Sequence, residues 1–293
     1  MATLRELKGR IGSVASSEKI TGAMKMISSA KMHKAEGALR QLRPYRDQVE
    51  TIIANIIGSD AAFSSPLMTP HTTVSNAAVV VWGSDDGLCG AYNINIFKDL
   101  LARLATLRQQ LGAGCRITVV PVGRKIAAAA RKIQLPGVEI DLPRDVDSKT
   151  TDVRDFTWSL RDDFLSGRFD RVDLLYMSYK SVSRQRIESK GLLPVTEEAF
   201  SSFAGKESSK PYLFEPSAEA IFSKVLPMYL LAVMQDVFTE NSASEQAARV
   251  MAMQSANDNA HKLLDQLQLE YNKLRQQSIT TELLDIIGGQ VER

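Results

Sequence analysis

The sequence predicts an α/β protein: a long antiparallel coiled coil of the N- and C-terminal helices, with a small Rossmann-like three-layer α/β domain in the middle. Three observations predict it. Both ends are long stretches with apolar residues at helical spacing. The middle alternates β-branched runs with helical patterns. The two ends also carry opposite charge.

The first end, residues 1–58, has no proline except Pro44. Its apolar residues recur at Leu4, Leu7, Ile11 and Val14, then at Ile20, Met24 and Ile27. Steps of three and four mark an amphipathic helix. The six-residue step from Val14 to Ile20 breaks that pattern and predicts a local change of supercoil. Some 55 residues at about 1.5 Å each make a rod of roughly 80 Å, and Pro44 is expected to kink it.

The other end, residues 217–293, has no glycine between Gly205 and Gly288 and no proline after Pro227. Leu264, Leu267, Tyr271 and Leu274 keep helical steps, and Gly288-Gly289 is expected to end the helix as a C-cap. Residues 1–50 hold ten Lys and Arg against five Asp and Glu, a balance of +5, whereas residues 228–293 hold five against nine, a balance of −4. Helices this long with narrow apolar stripes need partners, and opposite signs favour each other as those partners.

Residues 76–196 form the globular unit. Ala77–Trp82 is a β-rich run closed by the turn Gly83-Ser84-Asp85-Asp86-Gly87, and a helical pattern runs from Ile96 to Leu111. A strand at Ile117–Val122, a helix at Arg124–Lys132, a helix near Val153–Phe169 and strands at Val172–Ser178 and Ile187–Val195 follow. Strand and helix in alternation predict a mostly parallel sheet. Residues 197–216, rich in Ser, Gly and Pro, read as a loop.

Chemistry is poorly provided for. The turn at 83–90 has neither G-x-G-x-x-G nor G-x-x-x-x-G-K-[ST], and the carboxylates of Asp85 and Asp86 would repel a phosphate. The pair reads as a solvated turn or, less readily, a hard-cation site. His33, His71 and His261 share no metal-ligand spacing. Cys89 and Cys115 form no disulfide framework. Cys89 is a small core residue or a thiolate beside a helix start. Lys19, Lys25, Lys31 and Lys34 lack interleaved aromatics for base stacking, so a protein partner or water faces them. No catalytic residue, cofactor or metal is expected. No uninterrupted apolar run reaches the ~18 residues of a membrane span.

Three separated motifs carry a resemblance. Arg10-Ile11-Gly12-Ser13-Val14, Lys19-Ile20-Thr21-Gly22-Ala23-Met24-Lys25-Met26-Ile27 and Ala30-Lys31-Met32 resemble the amino-terminal motif of the gamma subunits of F-type ATP synthases. Ser84-Asp85-Asp86-Gly87-Leu88-Cys89-Gly90-Ala91-Tyr92-Asn93 is similar to that family's S-D-R-G-L-C-G-G-L-N. Tyr271-Asn272-Lys273-Leu274-Arg275-Gln276 and Ile279-Thr280-Thr281-Glu282-Leu283-Leu284-Asp285 resemble its carboxyl-terminal signature. Asp86 departs from the family's arginine, and Gly289-Gln290 from its Gly-Ala.

The resemblance implies a non-catalytic central stalk. Its coil would turn inside a ring of alpha and beta subunits, and its globule would dock with the epsilon subunit on the ring of membrane c subunits. Proton flow would drive the rotation. By position, Arg275, Gln276, Thr280, Glu282 and Met24 would meet the catalytic beta subunit, while Asp85, Asp86, Gly87 and Leu88 would belong to the foot near epsilon and the c ring. Met24 reads equally as a seam residue. The complex would lie peripherally on the cytoplasmic face of a bacterial inner membrane. A coiled-coil scaffold or assembly factor that does not rotate is the alternative.

Overall fold

The computed structural model describes residues 3–59, 63–71, 73–112, 114–142, 152–200 and 213–291. Helix α1 spans Leu4–Ile57. It opens with a capping box: Glu6 N–H donates to Thr3 Oγ1 at 3.3 Å and Thr3 N–H to Glu6 Oε2 at 2.8 Å. Helix α5 spans Ala218–Val291. Pro44 lies inside α1 and Pro227 inside α5, and neither ends its helix. Beyond each proline the helix buries side chains in a core, Val49 and Ile53 in α1 and Tyr229 and Leu230 in α5, and that packing outweighs the lost hydrogen bond. Contrary to expectation, Gly288-Gly289 does not stop α5, which continues to Val291. Glycine weakens a helix interior by about 1 kcal/mol and does not by itself end it.

Between the two helices lie β1 (Asn76–Trp82), α2 (Tyr92–Leu111), β2 (Arg116–Val122), α3 (Arg124–Ala130) and β3 (Val138–Ile140). Then come α4 (Val153–Leu165), β4 (Arg171–Ser181), β5 (Arg184–Leu193) and a 3-10 turn at Glu197–Phe200. The strands form one sheet in the order β3-β2-β1-β4-β5. All pairs are parallel except β4 with β5, so the expectation of a mostly parallel sheet holds. The three-residue β3 extends the sheet at an edge the sequence reading left blank. Most of the expected loop at 197–216 lies outside the described residues; its first four residues form the 3-10 turn.

Alternation along the strands divides the core in two. Val79 and Val81 face α2 and α3, packing with Ile96, Leu100, Leu104 and Ile126. Ala78, Val80 and Trp82 face the other way, onto Leu160 and Phe164 of α4 and onto the base of the coil. There Ile53 and Ile56 of α1 and Phe222, Leu226, Leu230 and Met234 of α5 are buried in the same cluster. The coil base thus supplies much of the third layer, and rod and globule share one core. An 18-residue window within Ala218–Leu284 reaches a mean hydropathy of 1.4, high enough for a membrane span by composition, but half of it is buried in the fold.

Candidate functional site

The coil is antiparallel, as charge suggested. Near the base the Arg46 guanidinium pairs with Asp236 and, at 3.5 Å, with Glu50, while Arg43 lies 4.0 Å from Glu240. Further along, Asn257 Nδ2 donates to the Glu18 carbonyl at 2.8 Å, and His261 Nδ1 meets Glu18 Oε1 at 2.9 Å.

The seam differs from the apolar stripe read in the sequence. On α1 its covered positions run Leu7, Ile11, Val14, Glu18, Thr21, Lys25, Ser28 and Met32, a continuous alternation of four and three. The expected break after Val14 is absent, because polar residues occupy the seam where the apolar pattern jumps. Ile20 and Ile27 instead face solvent, 60% and 56% exposed, on a flank that Met24 borders half-buried. Two stripes on different faces had merged into one period. On α5 the covered positions Met253, Asn257, Ala260, Leu264, Leu267, Tyr271 and Leu274 keep the same alternation, as expected from Leu264 onward.

Arg275, Gln276, Thr280 and Glu282 are all exposed. Met24 is not opposite them. Thr21 pairs with Asn257, so Met24 lies about one turn further from the tip, and roughly 30 Å of helix separates it from Arg275. By the same register α1 begins near the level of Arg275, and α5 projects alone for about 20 Å. That projection exposes Ile279, Leu283, Leu284, Ile286 and Ile287.

The turn after β1 is wired into the molecule. Asp85 is buried, not solvated: its Oδ1 accepts from Arg124 N–H at 3.1 Å. Asp86 pairs with Arg124 at 3.3 Å, so an arginine at 86 would set like charges side by side. The carbonyls of Gly87 and Asp86 accept from Arg249 Nε and Nη2 at 3.1 and 3.2 Å, and Arg249 also pairs with Glu245 at 2.8 Å. Asn93 closes the turn, accepting from Ser84 N–H at 3.0 Å and donating to Ser84 Oγ at 2.7 Å. Leu88 takes a positive φ of 64° and remains exposed, a strained conformation for a branched residue. Gly123, with φ 112°, crosses behind the turn, where a Cβ would lie 2.9 Å from the Gly83 backbone. Cys89 packs in the core as a small apolar residue. The buried Asp85 carboxylate bonds to the start of α3, and the carbonyls of Asp86 and Gly87 bond to α5.

This turn lies at the carboxyl ends of the strands, held by Arg249 on the side of the globule toward the tip. Ile56 and Phe222 are buried in the shared core at the coil base. Sequence reasoning missed Arg249, Tyr92 and Asn241, which tie rod to globule: Tyr92 O–H donates to Asn241 Oδ1 at 2.7 Å and Ser244 O–H to the Met177 carbonyl at 2.9 Å. The one legible signal for Asn241 and Arg249 is a cluster of polar residues, Asn241 to Arg249, within an apolar helix. The histidines each meet a carboxylate: His33 with Glu36 at 2.9 Å, His71 with Asp170 at 2.6 Å, and His261 with Glu18.

The family model described as ATP synthase matches residues 3–291. The chain is 36% identical over 301 residues to the ATP synthase gamma chain of Bacteroides thetaiotaomicron, with all of both chains covered. It is 38% identical over 294 residues to that of Parabacteroides distasonis, covering 99% of this chain and 98% of the relative. Its fold matches a chain in the Euglena gracilis mitochondrial ATP synthase structure of OSCP, F1 and c-ring, with a TM-score of 0.63, 20% identity and coverage of 98% and 93%. It also matches one in the central stalk and c-ring of the Tetrahymena thermophila enzyme, with a TM-score of 0.55, 23% identity and coverage of 81% and 99%. With the family model spanning nearly the whole chain and relatives similar from end to end, the chain belongs to the ATP synthase family, among its gamma chains.

Proposed function

We propose that this chain is the central shaft of a rotary ATP synthase, coupling proton flow through a membrane c ring to ATP synthesis or hydrolysis in the catalytic head. The carrying observation is the projection of α5: a lone helix exposing Ile279, Leu283, Leu284, Ile286 and Ile287 gains stability by sitting inside a surrounding protein. The fused core at the other end gives the globule a firm grip on both helices. The shaft itself is non-catalytic, and the chemistry belongs to the beta subunits.

Torque passes only where shaft contacts favour different conformations in successive partners. Two bands supply these contacts on beta. The first is Arg275, Gln276, Thr280 and Glu282 on α5, where the guanidinium makes paired hydrogen bonds to a carboxylate. The second is Met24 with Ile20 and Ile27 on α1, flanked by the exposed Lys19 and Lys31, which suits a partner surface both apolar and acidic. Alpha subunits complete the ring, and epsilon and the c ring hold the globule. The coil base marks the membrane-facing foot. Of the turn that the resemblance places in that foot, Asp86, Gly87 and Leu88 are exposed to a partner, while Asp85 is buried in the internal clasp. The complex sits peripherally on the cytoplasmic face of the membrane.

The test is Arg275→Ala with Gln276→Ala in the assembled enzyme in inverted membrane vesicles. ATP-driven proton pumping per ATP hydrolysed is expected to fall while the complex stays assembled. Unchanged pumping and synthesis would sink the role given to these residues.

A further inference from the structure

One stretch of the coil is not zipped by buried side chains. On α1 no residue between Leu7 and Ser28 is buried, and on α5 none between Met253 and Leu267. The centre of the seam here is polar: Glu18 and Thr21 meet Asn257, and Lys25 is half-buried one turn nearer the base. The helices nevertheless run close, for a Cβ on Gly22 would lie 3.4 Å from Asn257 Nδ2.

Polar groups make the connection instead. Asn257 Nδ2 donates to the Glu18 carbonyl at 2.8 Å and to Thr21 Oγ1 at 3.3 Å. One turn on, His261 lies between two carboxylates on different helices: Nδ1 is 2.9 Å from Glu18 Oε1 and Nε2 is 3.8 Å from Asp265 Oδ2. The imidazolium donates to Glu18 and carries the charge that attracts Asp265, 3.8 Å away, whereas a neutral imidazole has no charge to offer Asp265.

We propose that Glu18, Asn257 and His261 form a proton-loaded clasp that pairs the two helices across the polar stretch of the coil, more firmly at acidic than at alkaline pH. The groups acting on His261 are Glu18 from α1 and Asp265 and Asp258 from α5. Glu18, through its hydrogen bond, and then Asp265 hold the imidazole above its ordinary range. A raised value fixes the sign. The clasp contributes fully below the ordinary histidine value of about 6.5 and is lost as pH rises through the folded-state value. Asn257 keeps its hydrogen bonds throughout, so the stretch loosens at alkaline pH without parting. The pairing stands on this chain alone; only its consequence, a shaft whose middle stiffens with acidity, rests on the shaft reading.

The test uses the full-length chain. NMR titration of the three histidines, assigned with His33→Gln and His71→Gln, is expected to show His261 titrating above the ordinary range. Glu18→Gln should remove most of that displacement and Asp265→Asn a smaller part. In parallel, His261→Gln should lower the melting temperature by about 1–2 °C at pH 6 and leave it unchanged at pH 9. A His261 titration that Glu18→Gln leaves unmoved, or a melting difference independent of pH, overturns the clasp.

Discussion

Arg249→Ala is expected to loosen the joint between rod and globule. Arg249 is 5% exposed, and its guanidinium donates to the carbonyls of Gly87 and Asp86 while pairing with Glu245, itself buried. Removing one partner of a buried ion pair costs about 3–5 kcal/mol, because Glu245 keeps its charge and loses its guanidinium. Urea unfolding of the full chain should show a loss of that size. Arg249→Met with Glu245→Leu removes both charges, keeps volume, and should recover most of the stability. It does not restore the hold on the 86–87 carbonyls, so proton pumping in vesicles carrying the double variant should stay impaired. A loss below about 1 kcal/mol for Arg249→Ala, the worth of one ordinary hydrogen bond, would refute the reasoning.

Two further variants probe buried strain and buried charge. Gly123→Ala places a Cβ 2.9 Å from the Gly83 backbone at φ 112°, so a loss of at least about 1–3 kcal/mol is expected by chemical denaturation, and a neutral outcome would mean that the crossing of the two loops relaxes freely. Burial raises the Glu240 carboxyl above its usual range, so the folded state holds its proton more tightly than the unfolded chain. Glu240→Gln should therefore raise the melting temperature near pH 8, and the gain should shrink as pH falls through the folded-state value; a gain constant between pH 8 and 4 would contradict this.

Much of the fold was legible because it is written in local pattern. The strands announce themselves by β-branched runs such as Ala77–Trp82, and the terminal helices by long stretches with apolar residues at steps of three and four. What escaped depends on distant residues. Glu18, Thr21 and Ser28 lie in the coil seam although nothing apolar marks them, and Ile20 and Ile27, which looked like seam, face outward. Asp85 seemed a solvated turn residue because its partner, the Arg124 backbone N–H, lies 39 positions on. The strand β3 is three residues long, below what alternation can reveal. Of the candidate site, the exposed band from Arg275 to Glu282 came from motif, whereas its separation from Met24 needed the register that Asn257 and His261 set.

That register also shows how packing changes along the rod. At the base both helices are fused into the sheet core, and Arg46 and Tyr179 add charged and hydrogen-bonded ties across elements to Asp236 and Glu36. In the middle, Asn257 and His261 hold the helices across a polar seam, and beyond Arg275 α5 runs alone. Twisting stiffness in a paired rod comes from side chains that resist sliding of one helix past the other, so it is lower across the polar stretch than at the base and returns in part where Leu7 and Leu267 are buried. In the proposed shaft, a torque applied at the globule enters through the most rigid section and reaches the proposed Met24 contact before the proposed Arg275 contact. The two bands, about 30 Å apart along the coil, then turn in step only as well as the stretch between them resists twisting, which makes the polar seam at Glu18 the place where a small change in pairing alters their relative timing.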